Sequence, residues 1–149
     1  MKGRKEYAPY ATIKLNHFCR INIFNIEGAS RVKLNIPNNM VRINIEDEDV
    51  EFAGNDAGGG SMWNYKGQPF TGILEDFCEN GNLIGEIECK NGYKDGLQTA
   101  FYENGLPKEE YHEKYNRCYG PYKYWDEEGI LILHILFDND GKEINRIVG

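Results

Sequence analysis

The sequence predicts an all-β protein: an antiparallel meander of stacked β-hairpins with a 24-residue period, preceded by a β-rich amino-terminal segment. Three observations carry this. Gly72, Gly96 and Gly120 fall 24 residues apart, and so do Gly81, Gly105 and Gly129. Lys66, Lys90 and Lys114, and the aromatics Phe77, Phe101 and Trp125, keep the same phase. The chain holds 10 Tyr, 7 Phe and 17 Gly but 5 Pro, a mixture that favours strands joined by tight turns. Fixed periods of about 20 to 50 residues mark architectures in which each unit contacts mainly its neighbours. No stretch shows convincing helical periodicity.

The amino-terminal part, residues 1–53, reads as strands. Asn22 to Ile26 and Val32 to Ile36 alternate polar with apolar residues. Val41-Arg42-Ile43-Asn44-Ile45 places Val41, Ile43 and Ile45 on one face, the period-2 signature of a half-buried strand. Gly28-Ala29-Ser30 and Pro37-Asn38-Asn39 supply turn residues. Glu46-Asp47-Glu48-Asp49 reads as a solvated turn. Residues 54–61, Gly-rich and polar, have the composition of a flexible linker and place an internal boundary ahead of the repeat array, residues 62–149. The triple glycine lacks the Gly-Lys-Ser/Thr and the helix that a phosphate loop requires.

In the array each unit fits two short strands and two turns. Glu79-Asn80-Gly81, Glu103-Asn104-Gly105 and Glu127-Glu128-Gly129 mark the first turn of each. Glu is disfavoured at positive φ, so the turn that suits all three is a type I turn with its glycine left-handed, forming a bulge. Phe77, Phe101 and Trp125 are expected to stack as one core ladder, with Ile87, Tyr111 and Ile135 as a second in-phase column. Asp138-Asn139-Asp140-Gly141 closes a final half-unit.

The net charge is −7. Residues 1–60 sum to zero, so the whole −7 lies in residues 61–149. That balance argues against nucleic-acid binding, which needs a basic footprint, and suits a basic protein partner. No apolar run approaches the about 18 residues of a membrane span, and Met1 to Glu6 leads into no apolar segment, so the cytoplasm is the expected compartment. Cys19, Cys78, Cys89 and Cys118 form no Cys-x-x-Cys pair and no zinc spacing with a histidine; reduced thiols are expected, with no metal and no cofactor.

Cys89-Lys90-Asn91-Gly92-Tyr93-Lys94-Asp95-Gly96 and Tyr102-Glu103-Asn104-Gly105 resemble the bacterial variant of the MORN (membrane occupation and recognition nexus) repeat, in which "YKNGKKDG" and "YYENG" phrases alternate. The resemblance spans about residues 63–144 and degrades at Asn116-Arg117-Cys118-Tyr119-Gly120. It implies an elongated sheet of successive hairpins. Proteins of this kind are often described as YwqK-type antitoxins, which implies an antitoxin or immunity protein that neutralises a cognate toxin by direct binding. The family offers no catalytic motif to carry over.

No residue pattern points to catalysis. His17, His112 and His134 sit in no triad or metal phrase, and His134 is expected to be a satisfied, partly buried side chain. Glu109-Glu110 and Glu86-x-Glu88 are paired carboxylates whose use as acid and base depends on geometry. Cys118 beside Arg117 is the one thiol with a candidate activating neighbour. The expectation is therefore a non-enzymatic protein-binding module, its target a basic, nuclease-like toxin. Aromatics beside carboxylates are the expected anchors: Tyr102, Tyr122, Tyr124 and Trp125 with Glu103, Asp126 and Glu127. Two other readings compete. A membrane-associated scaffold, as the repeat's name suggests, needs a basic stripe that the acidic array lacks. Self-association through open sheet edges is the other, with Lys142, Glu143 and Arg146 placed to blunt the carboxy-terminal edge.

Overall fold

The hairpin phrases fold as their period requires. A computed structural model describes residues 40–149; the strands and turns expected before Met40, with His17 and Cys19, lie outside the described residues. Seven strands form an antiparallel meander: β5 (Gly72–Phe77), β6 (Leu83–Lys90), β7 (Tyr93–Phe101), β8 (Pro107–Lys114), β9 (Arg117–Trp125), β10 (Leu131–Phe137) and β11 (Glu143–Val148). Ahead of them lie β1 (Arg42–Asn44), β2 (Val50–Asn55), β3 (Ser61–Tyr65) and β4 (Gln68–Pro69). β1 pairs with β5 in parallel. β2 and β3 form a hairpin that joins the sheet where Met62 pairs with Tyr93 on β7.

The period becomes spatial register. Leu74, Ile87, Gln98, Tyr111, Tyr122, Ile135 and Arg146 pair in succession across all seven strands. Directly paired residues share a face, so this row is the seam of one side of the sheet. It contains the expected column Ile87, Tyr111 and Ile135 on alternate strands. Phe77, Phe101 and Trp125 do not form the expected ladder. They are equivalent, each the last residue of its strand, but Leu83, Pro107 and Leu131 are their direct partners. Two strand spacings, about 9.5 Å, separate one ring from the next. All three are half-buried.

The core lies nearer the start of the described chain. Val50, Trp63, Phe70, Leu74 and Cys89 are buried together, with Ile43, Ile45, Tyr65 and Ile87 packed against them. Of the predicted face Val41, Ile43 and Ile45, the last two reach this core while Val41 is 57% exposed. Glu46, Asp47 and Glu48 form an exposed turn, as expected.

The first turns have the predicted geometry. In residues 78–82, Gly81 donates to the Cys78 carbonyl (2.8 Å), Cys78 donates to the Asn82 carbonyl (3.0 Å), and Gly81 sits at φ +86°. Residues 102–106 and 126–130 repeat this scheme. In the first two copies the amide oxygens of Asn80 and Asn104 cap the turn; in the third, where Glu128 replaces Asn, the Asp126 carboxylate takes over, accepting from the N–H groups of Glu128 and Ile130.

The segment 54–61 is not a linker. It closes the β2–β3 hairpin with the same scheme: Asp56 donates to the Gly60 carbonyl, Gly59 donates to the Asp56 carbonyl, and Asp56 Oδ1 accepts from Gly58 and Gly60. Gly and Asp serve a tight turn as well as a tether, and the Asp-x-x-Gly spacing shared by Asp56, Asp126 and Asp138 distinguishes the two.

Candidate binding surface

The predicted anchors gather around the β9 end of the sheet but divide between its faces. Tyr122 and Tyr124 lie on the seam side, where they pair with Tyr111 and Glu109. Trp125 lies on the other side with Lys123, whose ammonium stands 6.0 Å from the Trp125 ring centre. Successive residues of a strand alternate, so one surface cannot hold all three aromatics.

Tyr102, Glu103, Asp126 and Glu127 belong to two neighbouring turns that are cross-braced. Tyr102 Oη donates to the Trp125 carbonyl (2.7 Å), Asn104 Nδ2 to the Glu127 carbonyl (2.8 Å), and Asn82 Nδ2 to the Glu103 carbonyl (3.4 Å). Desolvation, then a hydrogen bond with Tyr124, pushes the Tyr102 phenol well above its ordinary value. Lys108 stands over the Tyr102 ring at 5.3 Å. Of the seven predicted residues Glu127 is exposed and the other six are half-buried. Asp126 caps its own turn, which commits its carboxylate locally.

Two residues missed as anchors complete the seam side. Tyr122 Oη donates to Glu109 Oε1 at 2.5 Å, and the Tyr111 and Tyr122 rings lie 5.7 Å apart, tilted by 35°. Desolvation, then the Glu109 carboxylate, raises the Tyr122 phenol, so it stays a neutral donor. Glu109 makes no ion pair among the described residues. The signal was available: 98 and 122, like 87, 111 and 135, are seam positions one period apart, and Glu109 lies two residues from Tyr111 on the same face.

The carboxylates of each pair take different partners. Glu110 turns to the opposite face and meets Lys123 at 3.1 Å. Glu86 pairs with Arg42, which also holds Glu75, while Glu88 Oε2 accepts the Leu97 N–H. Cys118 is not activated by Arg117: neighbouring strand residues face opposite ways, and burial, with Glu113 beside it, pushes the thiol up to about 11. Cys89, deeper, is pushed up to about 12 by burial. His134 is partly buried as expected, but among the described residues its Nε2 has no hydrogen-bond partner. His112 packs against Tyr119 with ring centres 5.8 Å apart.

Beneath this surface lies a buried ion pair. Lys94 and Glu113 are 7% and 3% exposed, with Nζ and Oε2 3.9 Å apart, close enough for attraction but too long for a hydrogen bond. Burial raises the Glu113 carboxyl despite Lys94, and Asp56 and Glu109 add to the rise. Beside it Asn116, at φ +61°, ties two elements together. Its Oδ1 accepts the Lys94 N–H and its Nδ2 donates to Asp56 Oδ2, both at 2.8 Å. Gly60 permits this contact, because a Cβ there would lie 2.3 Å from that of Asn116. Comparison with models of protein families, with characterised proteins and with solved structures finds no match to this chain.

Proposed function

We propose that this chain is a non-enzymatic protein-binding module, acting in the cytoplasm as an antitoxin or immunity protein that neutralises a cognate bacterial toxin by occluding it. The observation that carries the binding reading is the seam-side patch of Glu109, Tyr111, Tyr122 and Tyr124. A carboxylate held by a phenol among half-exposed rings, on one face of an open sheet, suits a cationic side chain. The ring faces and the carboxylate both attract it, and the hydrogen bond fixes the carboxylate in advance. The net charge of residues 61–149 adds long-range attraction for a basic target. The choice of a toxin as target rests on the resemblance of the Tyr102–Gly105 and Lys90–Gly96 phrases to antitoxin repeats.

The test is co-expression with the product of the adjacent gene, followed by affinity capture and calorimetry. Micromolar or tighter binding is expected, with an association rate that falls as salt rises. Glu109→Gln combined with Tyr122→Phe should weaken it at least about tenfold, the effect of losing one charged hot-spot contact. Absence of binding at micromolar concentration counts directly against the proposal.

A further inference from the structure

Every residue of β11 is exposed, including Ile144 and Ile147 at 57% and Val148 at 70%. One side of the strand is hydrogen-bonded to β10. Gly149 donates to the Ile132 carbonyl (3.0 Å), and the register runs on through Ile147 with His134 and Asn145 with Leu136. Antiparallel pairs alternate, so Ile147 and Asn145 turn their N–H and C=O groups inward. Arg146 and Val148 therefore direct theirs to the outer edge, where Asn145 Oδ1 accepts the Arg146 N–H (2.8 Å).

Of the three charges expected to blunt this edge, Glu143 and Arg146 neutralise each other, and Lys142 lies just ahead of the strand. Arg146 grips Glu143 through Nε (2.9 Å) and one terminal nitrogen (2.6 Å). Within β11 the net charge is zero, while the rest of the array is acidic. A basic foreign strand is thus drawn elsewhere, and what remains here is open backbone between apolar side chains.

We propose that β11 pairs with β11 of a second copy of this chain, antiparallel about a two-fold axis at Ile147. In this register Arg146 of each copy meets the other's Val148; the Arg146 N–H exchanges Asn145 Oδ1 for the partner copy's Val148 carbonyl, and the remaining outward donors and acceptors satisfy each other. Ile147 meets its own counterpart in the closely spaced position, where apolar cross-strand pairs contribute most. Shifting the axis to Arg146 would set two guanidinium groups opposite one another, which disfavours that alternative. An antiparallel neighbour also continues the alternation that builds β5 to β11. Joining edge to edge keeps the two acidic arrays side by side instead of stacked, which limits their repulsion. The contact is one strand wide, below the size of a standard interface, so association is weak and concentration-dependent.

Sedimentation equilibrium of the full chain tests this. The mass should rise from 17.2 kDa toward twice that value as concentration increases, within a range reaching about 500 µM. Ile147→Lys places like charges at the axis and should weaken association at least tenfold. Val148→Pro removes an outward donor without touching the β10 ladder and should do the same. Wild-type chain that stays monomeric throughout overturns the proposal, as does an Ile147→Lys protein, folded by circular dichroism, that dimerises like wild type.

Discussion

Replacing Lys94 with Met removes the cation from a site where its partner, Glu113, is 3% exposed. Breaking a buried ion pair by deleting one member costs about 3–5 kcal/mol when the remaining charge has no escape. Here it has one, because the carboxyl can take up a proton. From an ordinary value of 4.5, protonation at pH 7 costs about 3.4 kcal/mol at 1.36 kcal/mol per unit, which caps the penalty from the stranded charge. The cap falls to about 1.4 kcal/mol at pH 5.5. A raised folded value means that the native state binds the proton more tightly, so its stabilising effect is present below 4.5 and is lost as pH rises. Lys94→Met should therefore lose stability with rising pH by up to about 1.4 kcal/mol per unit, relative to Lys94→Met combined with Glu113→Gln. Urea unfolding monitored through Trp63 and Trp125 at pH 5, 6 and 7 measures the difference. A gap between the two variants that does not change with pH refutes the assignment of Glu113 as a buried, titrating group.

Further outcomes follow from the turns and the seam. Gly96→Ala puts a Cβ 2.1 Å from the Glu88 carboxyl carbon at φ +124°; displacing Glu88 also frees the Leu97 N–H, and a loss of about 1–3 kcal/mol is expected in thermal unfolding. Asn116→Ala removes two hydrogen bonds of 2.8 Å and should cost about 2–3 kcal/mol, with faster amide exchange at Gly58 and Gly60 while β10 keeps its protection. The Asp56 carboxyl is held below its usual 3.8, first by Asn116 and then by the Gly60 N–H, so its stabilisation is complete above 3.8 and lost as acidification passes the lower folded value. Amide exchange at Gly60 that stays flat down to that range would exclude this role. Native Cys89 should resist thiol reagents at pH 8, since its thiol is pushed up to about 12 and buried; labelling as fast as in unfolded chain would contradict that burial.

Much of the array is legible in the sequence because a repeat states each rule several times. One Asn-Gly is compatible with two kinds of turn, but Glu128 in the third copy removes one of them. The ladder of Phe77, Phe101 and Trp125 misleads for a geometric reason. A period of 24 spans two strands, so equivalent residues share a face without touching. The seam becomes visible only when the partner positions at 74, 98 and 122 are interleaved with 87, 111 and 135, and that requires the register, which glycine bulges shift. Residues 54–61 misled because a turn and a tether draw on the same amino acids. The tie that settles their role, Asn116 to Asp56, spans 60 residues and leaves no local trace. The candidate surface was half legible. Tyr122 and Tyr124 are on it, while Trp125, adjacent in sequence, is excluded by strand alternation.

If the chain binds a partner as proposed, the distribution of burial along the seam bears on where it docks. Leu74 is wholly buried beside Trp63, Phe70 and Cys89, under the β2–β3 hairpin that Asn116 holds down. Among the described residues no such hairpin covers the row toward β11: Tyr111 and Tyr122 are half-buried, Ile135 is buried again at 7%, and the row ends at exposed Arg146. Burial of the first part anchors the sheet, and each later strand is ordered largely by the strand before it, as in other repeat arrays. The rings of Tyr111 and Tyr122 lie half-buried between buried Gln98 and buried Ile135, held by Glu109 and the strand ladder. Rigid, half-exposed aromatics lose little entropy on binding, which is the condition under which a small patch yields useful affinity. A partner that docked instead on the β2–β3 side would have to displace a packed core. On the proposed binding reading the preference therefore falls on β8 and β9, the strands that also carry the Glu109 carboxylate held by Tyr122.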